Sequence, residues 1–120
     1  MLKSIKLYHE TFSKGATLEE AIKAAKIKIV YVELPQGLIA HSRVSGRKKF
    51  IILDSRLRGY DRQRALAHEY YHCTMKGQGT PQEERSARIF AELYTWFRGR
   101  PLPSMCELGL VYVGILELVS

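Results

Sequence analysis

Residues 66–74 read LAHEYYHCT, placing His68 and His72 four positions apart with Glu69 directly after the first histidine. The stretch is otherwise apolar and aromatic, and a packed helix face gains little from imidazoles and a carboxylate, because burying unpaired polar groups costs stability. Metal chemistry accounts for the pattern. On a helix, residues four apart are rotated by only about 40° and separated by about 6 Å along the axis. His68 and His72 therefore project side by side, close enough for one ion to be bound by both. Glu69 lies about 100° from His68 and about 60° from His72, within reach of a water on the metal but not itself a ligand. Hydrolysis by zinc requires that division: the ion lowers the pKa of its bound water to about 7, and the neighbouring carboxylate accepts the proton.

Two histidines do not close a catalytic zinc site, which usually takes three protein ligands and leaves a fourth position for water. The next segment, EERSARIFAELYTWF, supplies a candidate. Glu84, Ala87 and Ala91 fall at i, i+3 and i+7, a stripe whose small residues let this helix press closely against the histidine helix. Glu84 then faces the pair from near the start of its own helix and is taken as the third ligand. Glu83 competes, but its capping-box spacing from Thr80 directs it toward the turn and solvent. Glu92 is about 80° further round than Glu84 and more than two turns away. Cys73 points about 100° away from His72, which makes it a poor fourth ligand and argues against a purely structural zinc domain.

These side chains need a scaffold, and 120 residues suffice for one domain with a real core. The hydrophobic share of 46% and charged share of 26% are ordinary for a soluble globular chain, which excludes disordered and fibrous classes. Leu2 to Gly15 reads as a first helix and ATLEEAIKAAK as a second, with Thr17 and Glu20 spaced as a capping box. Three β-branched runs follow, IKIVYVEL, LIAHSRV and KFIILD, separated by PQG and SGRK; turn residues between alternating apolar runs predict an antiparallel meander. Asp61 is the expected N-cap of the histidine helix, which runs to about Lys76 before Gly77 and Gly79. Thr80, Pro81 and Glu83 start the last helix, which runs through about Phe97. The apolar tail SMCELGLVYVGILELVS should be buried or paired, its periodicity leaving helix and strand open. The expected fold class is α+β, a small antiparallel sheet of about three strands with helices packed mainly against one face.

The balance of 19 Lys+Arg against 12 Asp+Glu gives a formal charge of +7 and favours anionic partners through long-range attraction. Basic residues cluster in SGRKK and in DSRLRGYDRQR. DNA, RNA, an acidic protein surface or plain solvent could each answer to them. The two cysteines, Cys73 and Cys106, form no Cys-x-x-Cys pair and read as small buried residues. With no secretory signal and no bilayer-length apolar run, a reducing cytoplasmic location is expected. His9 and His41 have no ligand-spaced partner and read as ordinary residues. Tyr70, Tyr71, Tyr94 and His41 are all conceivable donors to a tetrahedral oxyanion, while Tyr70, Phe90, Tyr94, Trp96 and Phe97 read as core.

From about Leu34 to Phe97 the chain resembles the ImmA/IrrE-type metallopeptidases of bacteria, phages and integrative elements. The resemblance rests on an LP turn, the strand-like FIILDSRL, the stretch DRQRALAHEYYH, and the pattern Glu-x-x-Ala-x-x-Phe-Ala, here ERSARIFA. It implies a zincin-like arrangement with the HExxH helix in the core, Zn2+ as cofactor and Glu84 as zinc ligand. Tyr71 stands where members commonly carry glycine, a difference expected to narrow the cleft, and LYTWF stands where many have an LLMP-like end. The implied activity is that of a regulated endopeptidase cutting a partner transcriptional repressor of a phage, mobile element or stress response. The alternative is a non-catalytic regulator on the same scaffold, binding nucleic acid or a partner protein through its basic face.

Overall fold

The computed structural model describes residues 2–75, 77 and 79–102. The chain opens with two helices, α1 (Leu2–Phe12) and α2 (Leu18–Ala24). Gly15, at a φ of 78°, turns the chain between them. The capping box at α2 is complete: the Thr17 hydroxyl accepts from the Glu20 amide, and the Glu20 carboxylate accepts from the Thr17 amide. Strands β1 (Ile27–Val32), β2 (Ala40–Ser45) and β3 (Lys48–Asp54) follow, then helices α3 (Gly59–Thr74) and α4 (Pro81–Phe97).

The class is α+β with three strands, as the sequence implies, but the sheet is not an antiparallel meander. Its order is β1-β3-β2. β2 and β3 form an antiparallel hairpin closed between Ser45 and Lys48, with Gly46 at a φ of 61°. β1 instead pairs with β3 in parallel, from Ile27 opposite Lys49 to Val32 opposite Asp54. Burial explains the order. β3 carries Ile51 and Leu53, both wholly buried, and takes the centre where each neighbour covers it. β1 and β2 are exposed at several positions and take the edges. The turn-rich segment between them is long enough to pass the end of β3, and turn composition alone could not distinguish that route from a hairpin.

Opposed residues share a face of the sheet, so Ile27, Ile29, Ile51, Leu53, Ala40 and Ser42 look toward the helices. α3 lies across this face against β2 and β3, and α4 packs on α3 and α1. The core gathers Leu7, Tyr8 and Phe12 from α1 with Leu66, Tyr70, Phe90, Leu93 and Tyr94. Trp96, expected in that core, is 44% exposed because its position near the end of α4 turns it outward, and Phe97 is half-buried.

Asp61 is not the N-cap of α3. The cap is Arg58, without a side-chain hydrogen bond, and the helix begins at Gly59, whose φ of 56° lets the chain turn in three residues earlier. Asp61 then falls in the first turn, where its charge still suits the helix dipole. At α4 the cap is Thr80 as expected, its hydroxyl accepting from the Glu83 amide, with Pro81 in the first turn. The Glu83 carboxylate accepts from the Gly79 amide, one residue earlier than a capping box requires. The apolar tail after Pro103, with Cys106, lies outside the described residues.

Candidate metal centre

The centre is built on the seam between α3 and α4. The two helices run antiparallel, so Arg64 meets Glu92 near one end and His72 meets Glu84 near the other. Ala87 and Ala91 are buried in α4 and permit the close approach their spacing suggests. Tyr71 of α3 lies against Phe90 of α4 with the two rings tilted. Its side chain is buried in the seam.

His68 Nε2 lies 2.8 Å from Glu84 Oε1, and His72 Nε2 lies 2.9 Å from Glu84 Oε2. The two imidazole nitrogens are 3.2 Å apart. One ligand atom from each of His68, His72 and Glu84 thus falls within 4.8 Å of the others. Tetrahedral zinc with ligand distances of roughly 2.0–2.1 Å has neighbouring ligands about 3.3 Å apart, so the histidine nitrogens already stand at the spacing of one tetrahedral edge. Two imidazoles and a carboxylate are also the donor set of a catalytic zinc peptidase site. The three residues fit the ion.

Burial pushes the His68 imidazole below its ordinary value, against the opposing pull of the Glu84 and Glu69 carboxylates. The neutral ring this favours at pH 7 is the form whose lone pair binds a metal. Glu69 follows His68 on α3 and is only 9% exposed. The group that could hold an ion among the described residues is His68, His72 and Glu84, without Glu69, whose charge is felt by both His68 and Cys73.

The remaining candidates are placed elsewhere. Cys73 is buried with Sγ 3.8 Å from the Phe50 carbonyl oxygen, and burial pushes its thiol up to about 11. Tyr70 approaches Thr11 at 3.4 Å and stacks on Phe90, and Tyr94 stacks on Phe12, so with Tyr71 the three tyrosines belong to the core and seam. His41 pairs with Ile52 and faces away from the helices. His9 is exposed on α1. The basic stretch that leads into and opens α3 is engaged by the protein itself: Arg56 with Asp54 and Glu33, Arg58 with the Ser55 and Leu57 carbonyls, Arg62 with Tyr31, and Arg64 with Glu92. Sequence reasoning missed the Arg64–Glu92 pair; the one signal was a glutamate inside the apolar run IFAELY.

Among the described residues, no helix is long and apolar enough to cross a membrane. Neither the curated proteins nor the solved structures gave a match. A protein-family model does match, over residues 22–98, which takes in the whole sheet, both helices of the seam and all three residues of the triangle. By that match the chain belongs to the Peptidase M78 family, described as the IrrE N-terminal-like domain, a family of peptidase-type hydrolases associated with zinc.

Proposed function

We propose that this chain is a zinc-dependent endopeptidase of the cytoplasm that cuts a specific partner protein, a transcriptional repressor of a phage, mobile element or stress response. The observation that carries the reading is the convergence of His68 Nε2, His72 Nε2 and a Glu84 oxygen on one point, in a chain of a peptidase family. His68, His72 and Glu84 hold the ion, and Glu69 is the general base. Bound zinc supplies an acidified water and polarises the scissile carbonyl.

The protein's own contribution is placement. α3 presents the two imidazoles from one face, and burial of His68 keeps that ring neutral and ready to bind. α4 brings Glu84 in from the other side of the seam, so that its two oxygens address one histidine each. Glu69, one residue along from His68, takes the proton from the attacking water and returns it to the leaving amine. The formal charge of +7 favours encounter with an acidic partner surface.

Elemental analysis of the purified chain, with co-expression of a neighbouring repressor and either wild type or Glu69→Ala, tests the reading. Stoichiometric zinc in both proteins with cleavage only by wild type is the expected result. Persistent cleavage by Glu69→Ala overturns the assigned base. Full regulatory function in that variant without zinc points to the non-catalytic regulator.

A further inference from the structure

Eight residues along each helix from His72 and Glu84, a second polar bridge crosses the α3–α4 seam. Arg64 Nε lies 2.8 Å from Glu92 Oε1. The Glu92 side chain is 10% exposed while that of Arg64 is 44% exposed. Glu92 Oε2 is buried with no partner among the described residues. Neither residue has a part in the chemistry proposed for the centre.

Stability does not account for the pair. Moving a carboxylate out of water costs several kcal/mol as an order of magnitude, and a single half-solvated guanidinium that leaves one oxygen unpaired returns little beyond that. An apolar pair of similar volume at such a place is commonly as stable or more so. What the pair supplies is a directional contact in a seam otherwise packed by apolar side chains. The seam is lined by Ala87 and Ala91 and by Phe90 against Tyr70 and Tyr71, apolar contacts that allow close approach but are less directional than a hydrogen-bonded ion pair. Polar contacts buried in such interfaces fix register at a cost in stability. A slip of α4 by one turn would move Glu84 by about 5.4 Å, and a misplacement of about 1 Å is enough to spoil a constellation of ligands.

We propose that Arg64 and Glu92 are positioning residues for the metal centre: their ion pair pins the register of α4 on α3, so that Glu84 stands opposite both His68 and His72. The inference rests on the reading of those three residues as metal ligands. One clamp lies at each end of the seam. The Thr80 cap fixes the start of α4 near the centre, and the Arg64–Glu92 pair, about 12 Å along the axis, stops the helix from turning or sliding about that point.

The test uses the full chain, stripped of metal, and three readouts: thermal unfolding of the apo form, Zn2+ affinity by chelator competition, and the visible spectrum of the Co2+ form. In the double variant Arg64→Leu/Glu92→Leu, the apo unfolding temperature should equal or exceed that of wild type. Its Zn2+ affinity should fall about tenfold, the low end of what loss of supporting contacts does to a metal site, and its Co2+ spectrum should change. Glu92→Gln keeps an oxygen to accept from Arg64 Nε and should restore affinity to within about threefold of wild type, which keeps the test decisive should the double variant fail to fold. Wild-type Zn2+ affinity and an unchanged Co2+ spectrum in the double variant overturn the proposal. So does a Glu92→Gln variant as weak as the double one, or a loss of affinity that merely follows a loss of apo stability. Failure of the wild-type chain itself to bind Zn2+ overturns the metal-centre reading as well, and is seen before any substitution is made.

Discussion

Glu69, the proposed general base, differs from the three proposed ligands in what its removal should do. Glu69→Gln keeps size and removes the basic oxygen, so zinc content should stay at the wild-type level while repressor cleavage, followed on gels, falls about a hundredfold or more. Glu84→Gln should instead weaken zinc itself, since an amide is a poorer donor than a carboxylate. That His68 and His72 project together was legible because the i, i+4 spacing is a local property of a helix. Glu84 was legible at longer range only because small residues follow it on one stripe. Cys73 read correctly as buried: its thiol is pushed up to about 11. In a Cys106→Ser background, alkylation of native Cys73 should be far slower than that of the unfolded chain, by mass spectrometry.

Among the elements, the helices were the most readable, because caps and glycines mark their ends. Thr80 starts α4, and Thr80→Ala should cost about 1 kcal/mol in thermal or denaturant unfolding. It acts at the turn from which Glu84 projects. Ala87 sits wholly buried at the α3–α4 contact. Ala87→Leu should destabilise the chain by about 1–3 kcal/mol through overpacking. Because it wedges the two helices apart, it should also lower zinc content in elemental analysis, an effect that a comparable substitution in α1 would not produce. The start of α3 was misjudged because Asp61 is a good capping residue, whereas the backbone freedom of Gly59 decided where the helix begins. The sheet order was misjudged for a related reason: a turn composition reports that the chain bends, not which strand it returns to.

For the molecule as a whole, the crossover from β1 to β2 is tied to the central strand by one arginine. Arg56 donates through Nε and Nη2 to the two oxygens of Asp54, and through Nη2 to the Leu34 carbonyl. Those hydrogen bonds from the Arg56 side chain, and then the one from its backbone amide, hold the Asp54 carboxyl down at about 2, against an ordinary 3.8. The folded chain therefore favours the ionised form. The stabilisation is complete above the ordinary value and disappears as pH falls from there through about 2. Thermal unfolding followed by circular dichroism should show an acid-induced drop in that window which Asp54→Asn lacks. Arg56, Arg58, Arg62 and Arg64 are committed to contacts within the fold, whereas Lys14, Lys23, Lys26, Lys28, Arg43, Arg47 and Lys48 are among the exposed basic residues.

By itself, the sequence determined what is periodic or local: the four helices, the existence of three strands, the paired imidazoles with their adjacent carboxylate, and a buried small-residue stripe beside Glu84. Those follow from spacing along one element, where 3.6 residues per turn or alternation fixes which side chains share a face. Only the tertiary structure decided that β3 lies between β1 and β2, that Tyr71 is buried beside Phe90, and that Arg64 reaches across to Glu92. Each depends on which surfaces are brought together, and the free energy that selects among such pairings comes from contacts between residues far apart in the chain.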